Sequence, residues 1–343
     1  MRQIRKVKMT DVDKLPSFRD LPVRSGAPAG SSWGVWGDDD QLGTLNLLTD
    51  ERTLEAARLV RRGAVIPLNL PLEELDPQLA WRTPVRHHIL HVGHEARGFE
   101  PGGVDDATEG HFDRDDYMDG FWLQSGSQWD ALSHVRHREF GNYNGFPDTE
   151  IHGGVDTKLG VDRWAQRAIV GRGILLDVAR HLSAEGRPFE VDSSYEISVA
   201  DLESAARGQG VTIETGDILL FHTGWMQFLL SQTRTERERL IERDTLRAPG
   251  LEPSREMVEW LWDRHVAAVA CDSGGVEAMA PDPQFFLHFQ CLPLLGIPLG
   301  EFFALDQLAA DCARDGSYAF LFVSVPFNIR GGVGSPPQAV AIK

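Results

Sequence analysis

Residues 124–134, Gln-Ser-Gly-Ser-Gln-Trp-Asp-Ala-Leu-Ser-His, gather the densest set of chemically useful groups in the chain. Gln124, Gln128, Asp130 and His134 follow one another at even spacings. On a strand, where successive side chains alternate between faces, all four would share one side. One carboxylate, one imidazole and two amide oxygens converging there could hold a divalent cation. Carbonyl and carboxylate oxygens suit Mn²⁺ or Mg²⁺, and imidazole admits Zn²⁺. The plainer reading of such a cluster is a hydrogen-bonded turn. Phe121, Trp122 and Trp129 stand beside the segment; they offer an aromatic wall for a planar substrate, or ordinary core packing.

The rest of the chain must position this segment. Short apolar runs at 174–178, 218–221, 266–270 and 319–325 predict buried strands. Helical patterns at 199–206, 226–243, 255–265 and 305–313 lie between and after them. A further helix is expected from a Thr49 or Asp50 cap through Val60, stopped by Gly63, and a strand over 64–70. Strands alternating with helices predict an α/β layer arrangement. The polar stretch 1–32 ends in Gly-Ala-Pro-Ala-Gly-Ser-Ser and reads as an N-terminal arm; 33–343 reads as one domain.

Residues 75–160 lack clear periodicity yet hold most of the histidines and an acidic run at 113–119. Their aromatic residues, among them Trp81, Phe112 and Tyr117, argue for a structured site rather than disorder. His87, His88, His91 and His94 are expected in a solvated or pocket-lining loop, since Pro84 and Gly93 oppose a helix. His222, at the end of an expected strand, reads as a satisfied structural histidine. The mixed charges of 233–243 read as the solvated face of a helix with i,i+4 pairs.

Composition narrows the function further. The 343 residues carry 34 Lys and Arg against 51 Asp and Glu, a net charge of −17, which argues against nucleic acid. No apolar run approaches a membrane span, and no apolar stretch follows the basic N-terminus as a signal peptide would require. The three cysteines cannot all pair and show no C-x-x-C spacing, so a disulfide framework is excluded and a reducing, cytoplasmic setting expected. Ser273-Gly274-Gly275 lacks the G-x-S-x-G pattern of a serine hydrolase. The expected partner is a small-molecule substrate, with neither nucleic acid nor membrane. A homo-oligomer is expected too, with Trp33 and Trp36 of the arm region reaching a neighbour.

The 124–134 segment resembles the signature H-x-G-T-H-x-D-x-P-x-H of the metal-dependent cyclase family, which includes bacterial kynurenine formamidase and isatin hydrolase. Gly126, Ser127, Asp130 and His134 fall on the Gly, Thr, Asp and last His, while Gln124 and Gln128 stand where the family has metal-binding histidines and Leu132 replaces the Pro. The resemblance extends through 36–46, 171–178 and 216–225, and covers about residues 33–343. It implies a swivelling β/β/α single domain with a mixed sheet and flanking helices. It also implies that His288 and Glu301, near the C-terminus, complete the metal and proton-transfer site.

An amide oxygen binds Zn²⁺ more weakly than imidazole does, so two Gln replacements shift preference toward Mn²⁺ or Mg²⁺. On one reading Asp130, Gln124, Gln128, His288 and Glu301 hold Mn or Zn, and His134 or His288 moves the proton while Glu301 assists. That makes an arylformamidase-like hydrolase of a C–N bond in a small amide, formamide or cyclic imide. On the other, the site is metal-free and both Gln donate N–H groups to a substrate carbonyl or carboxylate. A lactone hydrolase, a metal-independent cyclase or dehydratase and a silent ligand-binding relative remain open alternatives.

Overall fold

A computed structural model of the chain describes residues 15–79, 82–92, 113–242, 245–280 and 285–343. Thirteen strands occur among them. They are β1 (Val65–Pro67), β2 (Arg86–Val92), β3 (Asp113–Asp119), β4 (Gln128–Asp130), β5 (Ile169–Asp177), β6 (Glu196–Ile197) and β7 (Ile218–His222). β8 (Gly250–Leu251), β9 (Ala268–Cys271), β10 (Leu299–Glu301), β11 (Ala319–Ser324), β12 (Gly334–Ser335) and β13 (Ala339–Ile342) follow. Nine form one mixed sheet in the order β1-β13-β11-β5-β7-β9-β10-β4-β12. Its centre, β5 to β10, is parallel, and antiparallel strands extend both sides.

This is the expected α/β arrangement, a single domain built on a mixed sheet. Strands β7 and β9 and the second half of β5 are apolar on both faces because helices cover the sheet, as parallel strands require. The helix Val199–Gly208 is held at its start by a reciprocal Ser198–Asp201 capping box. Leu175, Leu176, Leu219, Leu220, Phe221 and Val269 are fully buried at the centre of the core. No helix among the described residues is long and apolar enough to cross a membrane.

Two expectations are corrected. The single helix expected over 226–243 is two, Trp225–Ser231 and Arg234–Leu240. Thr233 caps the second, its hydroxyl accepting from Glu236 N–H while the Glu236 carboxylate accepts from Thr233 N–H, so the T-x-x-E signature starts a new helix. The Arg234–Glu238 pair expected on its exposed face is present. His87, His88 and His91 lie on β2, not in a loop, and pair with the acidic β3. His87 Nε2 sits 2.8 Å from Asp116, and the His88 ring stacks on Tyr117 at 4.6 Å. That cross-strand attraction joins residues far apart in sequence, which local periodicity does not register. Within the chain, Trp33 Nε1 donates to the Pro293 carbonyl, and Trp36 meets Trp262 edge-on at 5.9 Å. Residues 15–32 do likewise, with Phe18 N–H on Asp263. Arm residues 1–14, Trp81, His94 and Phe112 lie outside the described residues.

Candidate active site

Strand geometry builds the site. β4 places Gln128 and Asp130 on one face and Trp129 on the other. β10 runs antiparallel to it, so Glu301 faces Gln128, Leu299 faces Asp130 and Gly300 faces Trp129. A side chain at Gly300 would press to 2.9 Å from both Ala270 and the Trp129 ring, so only glycine lets the strands close here. His288 arrives from the short helical turn His288–Gln290.

Asp130, His288 and Glu301 each contribute a ligand-type atom, and these atoms lie within 4.8 Å of one another. His288 Nε2 is 3.1 Å from Glu301 Oε1 and 3.5 Å from Asp130 Oδ2. Gln128 Nε2 donates to Glu301 Oε2 at 2.9 Å and to Asp130 Oδ1 at 3.4 Å, tying the two carboxylates together. His134 Nε2 is 3.7 Å from Asp130 Oδ1. Gln124 is buried beside Gly334, which pairs with Asp130 across β12. Only Gln128 and Asp130 lie on a strand; Gln124 and His134 come from the turns on either side, so strand alternation does not place all four.

The aromatic residues divide differently from the sequence expectation. Trp129 is fully buried on the far face of β4, packed edge-on against Phe303 at 5.1 Å, with Nε1 donating to Ser324. Its odd position between Gln128 and Asp130 sends it into the core. Phe121 packs on Phe327, and exposed Trp122 donates to the Thr83 hydroxyl; both rings lie on the turn leading into Gln124.

Two residues near the carboxylates went unnoticed in the sequence. Glu277 Oε2 is 2.6 Å from His288 Nδ1, and Oε1 accepts from the His288 N–H at 3.4 Å. A lone Glu within Val-Glu-Ala-Met-Ala, buried to 1% exposure, was the available signal. Arg82 is the second; its charge acts on both Asp130 and Glu301.

Burial pushes the Asp130 carboxyl up, but the charge of His134 and its contacts with His288 outweigh this and hold it below the ordinary value. Burial raises Glu301, and the nearby Asp130 charge adds to it against the opposing His288 bond, so it stays above. Burial alone would lower His288; the Glu277 charge and contacts with Asp130, Glu277 and Glu301 keep it well above a usual imidazole. The site thus sets one carboxyl below the ordinary range and one above it, a division suited to acid–base work.

The donor set fits a divalent cation. Asp130 Oδ2 and Gln128 Oε1 are buried without a hydrogen-bond partner, beside a second carboxylate and an imidazole. The Asp130 oxygen, in the same group as the Glu301 carboxylate and the His288 imidazole, is what an ion would satisfy.

The Cyclase family profile matches residues 66–278. A crystal structure of a novel cyclase is 33% identical, with a TM-score of 0.79 and a match covering 91% of this chain and 99% of that one. The chain belongs to the cyclase family. Isatin hydrolase A from Ralstonia solanacearum shares the fold at 18% identity and a TM-score of 0.53, covering 81% of this chain and 91% of its own. An isatin hydrolase bound to the product analogue thioisatinate does so at 16% identity and 0.55, covering 86% and 98%. A comparison with curated proteins finds no match.

This cyclase has a second His–carboxylate cluster, at the carboxyl ends of β5 and β7. His222 Nδ1 is 3.0 Å from Asp177, and Nε2 is 3.1 Å from Asp306 and 3.5 Å from Asp272. Asp272 also accepts from the Thr223 and Gly224 N–H groups. With both ring nitrogens facing carboxylates and no orphaned atom nearby, this is an imidazolium clamp between strands. Burial pulls His222 down, but the Asp272 charge and the Asp177 and Asp306 bonds lift it to about 10. An unfolded histidine titrates near ~6.5. The clamp therefore stabilises fully below about pH 6.5 and fades as pH rises through 10. His222→Gln costs about 3 kcal/mol near neutral pH, and its melting temperature falls less steeply than that of the wild type between about pH 7 and 10. Parallel melting curves across that range would exclude the clamp.

Proposed function

We propose that this cyclase is a hydrolase that opens the C–N bond of a small amide, formamide or cyclic imide with the help of a divalent cation. The observation that carries this reading is the buried, unpartnered oxygen of Asp130 beside His288 and Glu301. The isatin hydrolases of the same fold support it by their activity. Asp130, Glu301, His288 and the Gln128 amide would hold the cation, with Gln124 close behind. When bound there, the ion lowers the pKa of a water and polarises the substrate carbonyl.

The chain's own groups do the rest. Gln128 fixes the spacing of the two carboxylates, and Glu277 fixes the orientation of His288. The water oxygen forms the new C–O bond, the C–N bond breaks, and one proton must travel from water to the leaving nitrogen. Glu301 Oε1 would take that proton from the water and hand it to the leaving nitrogen, while His288 Nε2, 3.1 Å away, keeps the carboxylate in place. His134, with a buried and unpartnered Nδ1, is a second carrier at the pocket edge.

One observation favours a second reading. Gln128 turns its N–H groups, not its oxygen, toward the carboxylates, and a metal-free acid–base pair of His288 and Glu301 would serve a cyclase or dehydratase. Protein purified without chelator is assayed on aryl formamides, cyclic imides and lactones, before and after EDTA and with Mn²⁺ or Zn²⁺ returned. Turnover of the nitrogen substrates falls about tenfold with EDTA and recovers best with Mn²⁺. Activity indifferent to complete metal removal would leave the metal-free reading.

A further inference from the structure

We propose that Asp272 is a positioning residue for the candidate site: it fixes the entry of the buried turn 272–277, and through that turn the hold on Glu301 and His288. The proposal rests on the reading of Glu301 and His288 as working groups of the site, and names the part of the chain that aims them.

The turn leaves the carboxyl end of β9 and is buried along its whole length. A buried segment with little regular pairing must find partners for its polar groups one by one. At its start, Asp272 Oδ1 accepts from the Thr223 N–H at 2.7 Å and from the Thr223 hydroxyl at 2.9 Å, and Oδ2 accepts from the Gly224 N–H at 2.8 Å. Three donors on one fully buried carboxylate, with His222 Nε2 at 3.5 Å, pin this end to the segment that leaves β7.

At its far end the turn reaches the site. Val276 N–H donates to Glu301 Oε1 at 3.3 Å, the same oxygen that lies 3.1 Å from His288 Nε2. The next residue, Glu277, holds His288 twice, with Oε2 at 2.6 Å from Nδ1 and Oε1 accepting from the backbone N–H at 3.4 Å. Adjacent residues of one turn thus grip both groups.

Little slack lies between the two ends. Ser273 Oγ donates to the Pro249 carbonyl at 2.6 Å, and Cys271 Sγ to the Gly275 carbonyl at 3.3 Å. A side chain added at Gly274 would lie 3.2 Å from the Trp225 ring, and one at Gly275 2.6 Å from Met279 Sδ. At the exit, Leu251 pairs with Val276 and Ala278 through its N–H and carbonyl. The entry at Asp272 is therefore the other fixed point, and a close-packed segment passes a shift there on to Val276 and Glu277.

Asp177 supplies the contrast. It faces the opposite nitrogen of the same histidine, His222 Nδ1, at 3.0 Å, and makes no bond to the turn. Loosening the clamp from that side should cost stability and spare the site.

The test reads the His288–Glu277 bond directly. In full-length protein with isotopically labelled histidine, after EDTA, the Nδ1 proton of His288 should appear as a strongly deshielded resonance that is lost in His288→Ala. Asp272→Asn should move it upfield or broaden it away, and Thr223→Val, which removes one donor, should move it part of the way. Asp177→Asn should lower the melting temperature yet leave the resonance in place. On any substrate that the wild type turns over, Asp272→Asn should lower kcat about tenfold with KM changed less than about twofold, while Asp177→Asn keeps kcat within about twofold. A wild type without the resonance overturns the proposal, as does an Asp272→Asn protein that keeps it unshifted or an Asp177→Asn protein that shifts it as far. If Asp272→Asn does not fold, an unshifted resonance in Thr223→Val overturns the proposal and a shifted one supports it. The resonance requires no turnover, so the expected shifts in a protein that hydrolyses none of the nitrogen substrates count against the hydrolase reading alone.

Discussion

Replacing Asp130 with asparagine lowers kcat/KM about a thousandfold on any substrate the wild type hydrolyses. The carboxylate is completely buried, is kept ionised by His134 and His288, and leaves one oxygen unpartnered. Asparagine preserves the shape but removes the charge that would draw a cation. It also turns an N–H group or a weak amide oxygen toward Gln128 and His288. Titration of Mn²⁺ into the variant should show the loss of affinity directly, and a cooperative melt confirms that the fold survives. A folded Asp130→Asn protein with wild-type turnover would place the chemistry elsewhere.

The second large effect belongs to the His288–Glu277 unit. His288→Ala removes the imidazole between Asp130 and Glu301 and costs about a thousandfold in kcat. Glu277→Gln keeps the imidazole but weakens its 2.6 Å anchor at Nδ1, and lowers kcat about a hundredfold with little change in KM. Glu277→Asp recovers part of the loss, because a shortened carboxylate can still accept from Nδ1. Steady-state kinetics on the three variants decides the matter. Equal rates for wild type and Glu277→Gln would mean that Glu277 only fills space. Since Glu277 is buried beside a cationic imidazole, its removal also leaves that charge unpaired, and the variants' melting temperatures should be read alongside the rates.

The Gln residues at 124 and 128 show how one site can be partly legible. The resemblance marked both as occupying histidine positions, and chemistry alone left them as ligands or donors. The structure gives Gln128 a specific task, since its Nε2 bridges Asp130 and Glu301, residues 173 positions apart in the Gln128–Glu301 case. Gln124 stays close to Gly334 with its Nε2 unpartnered, an arrangement its spacing did not indicate. His222 was read as a structural histidine from its place at a strand end, and its three carboxylates belong to three different segments.

Local sequence determined the buried strands β5, β7, β9 and β11, most of the helices packed on them, and the short acid–imidazole segment around Asp130. Each of those depends on residue types a few positions apart: apolar runs, caps and alternation. Which side chains meet Asp130 was decided only in three dimensions. The pairing of β4 with β10 set Glu301 against Gln128 and sent Trp129 into the core. Glu277 reached the site from a segment with no sequence relation to Asp130. Strand register and helix placement follow from packing summed over the entire chain, so no local pattern carries them.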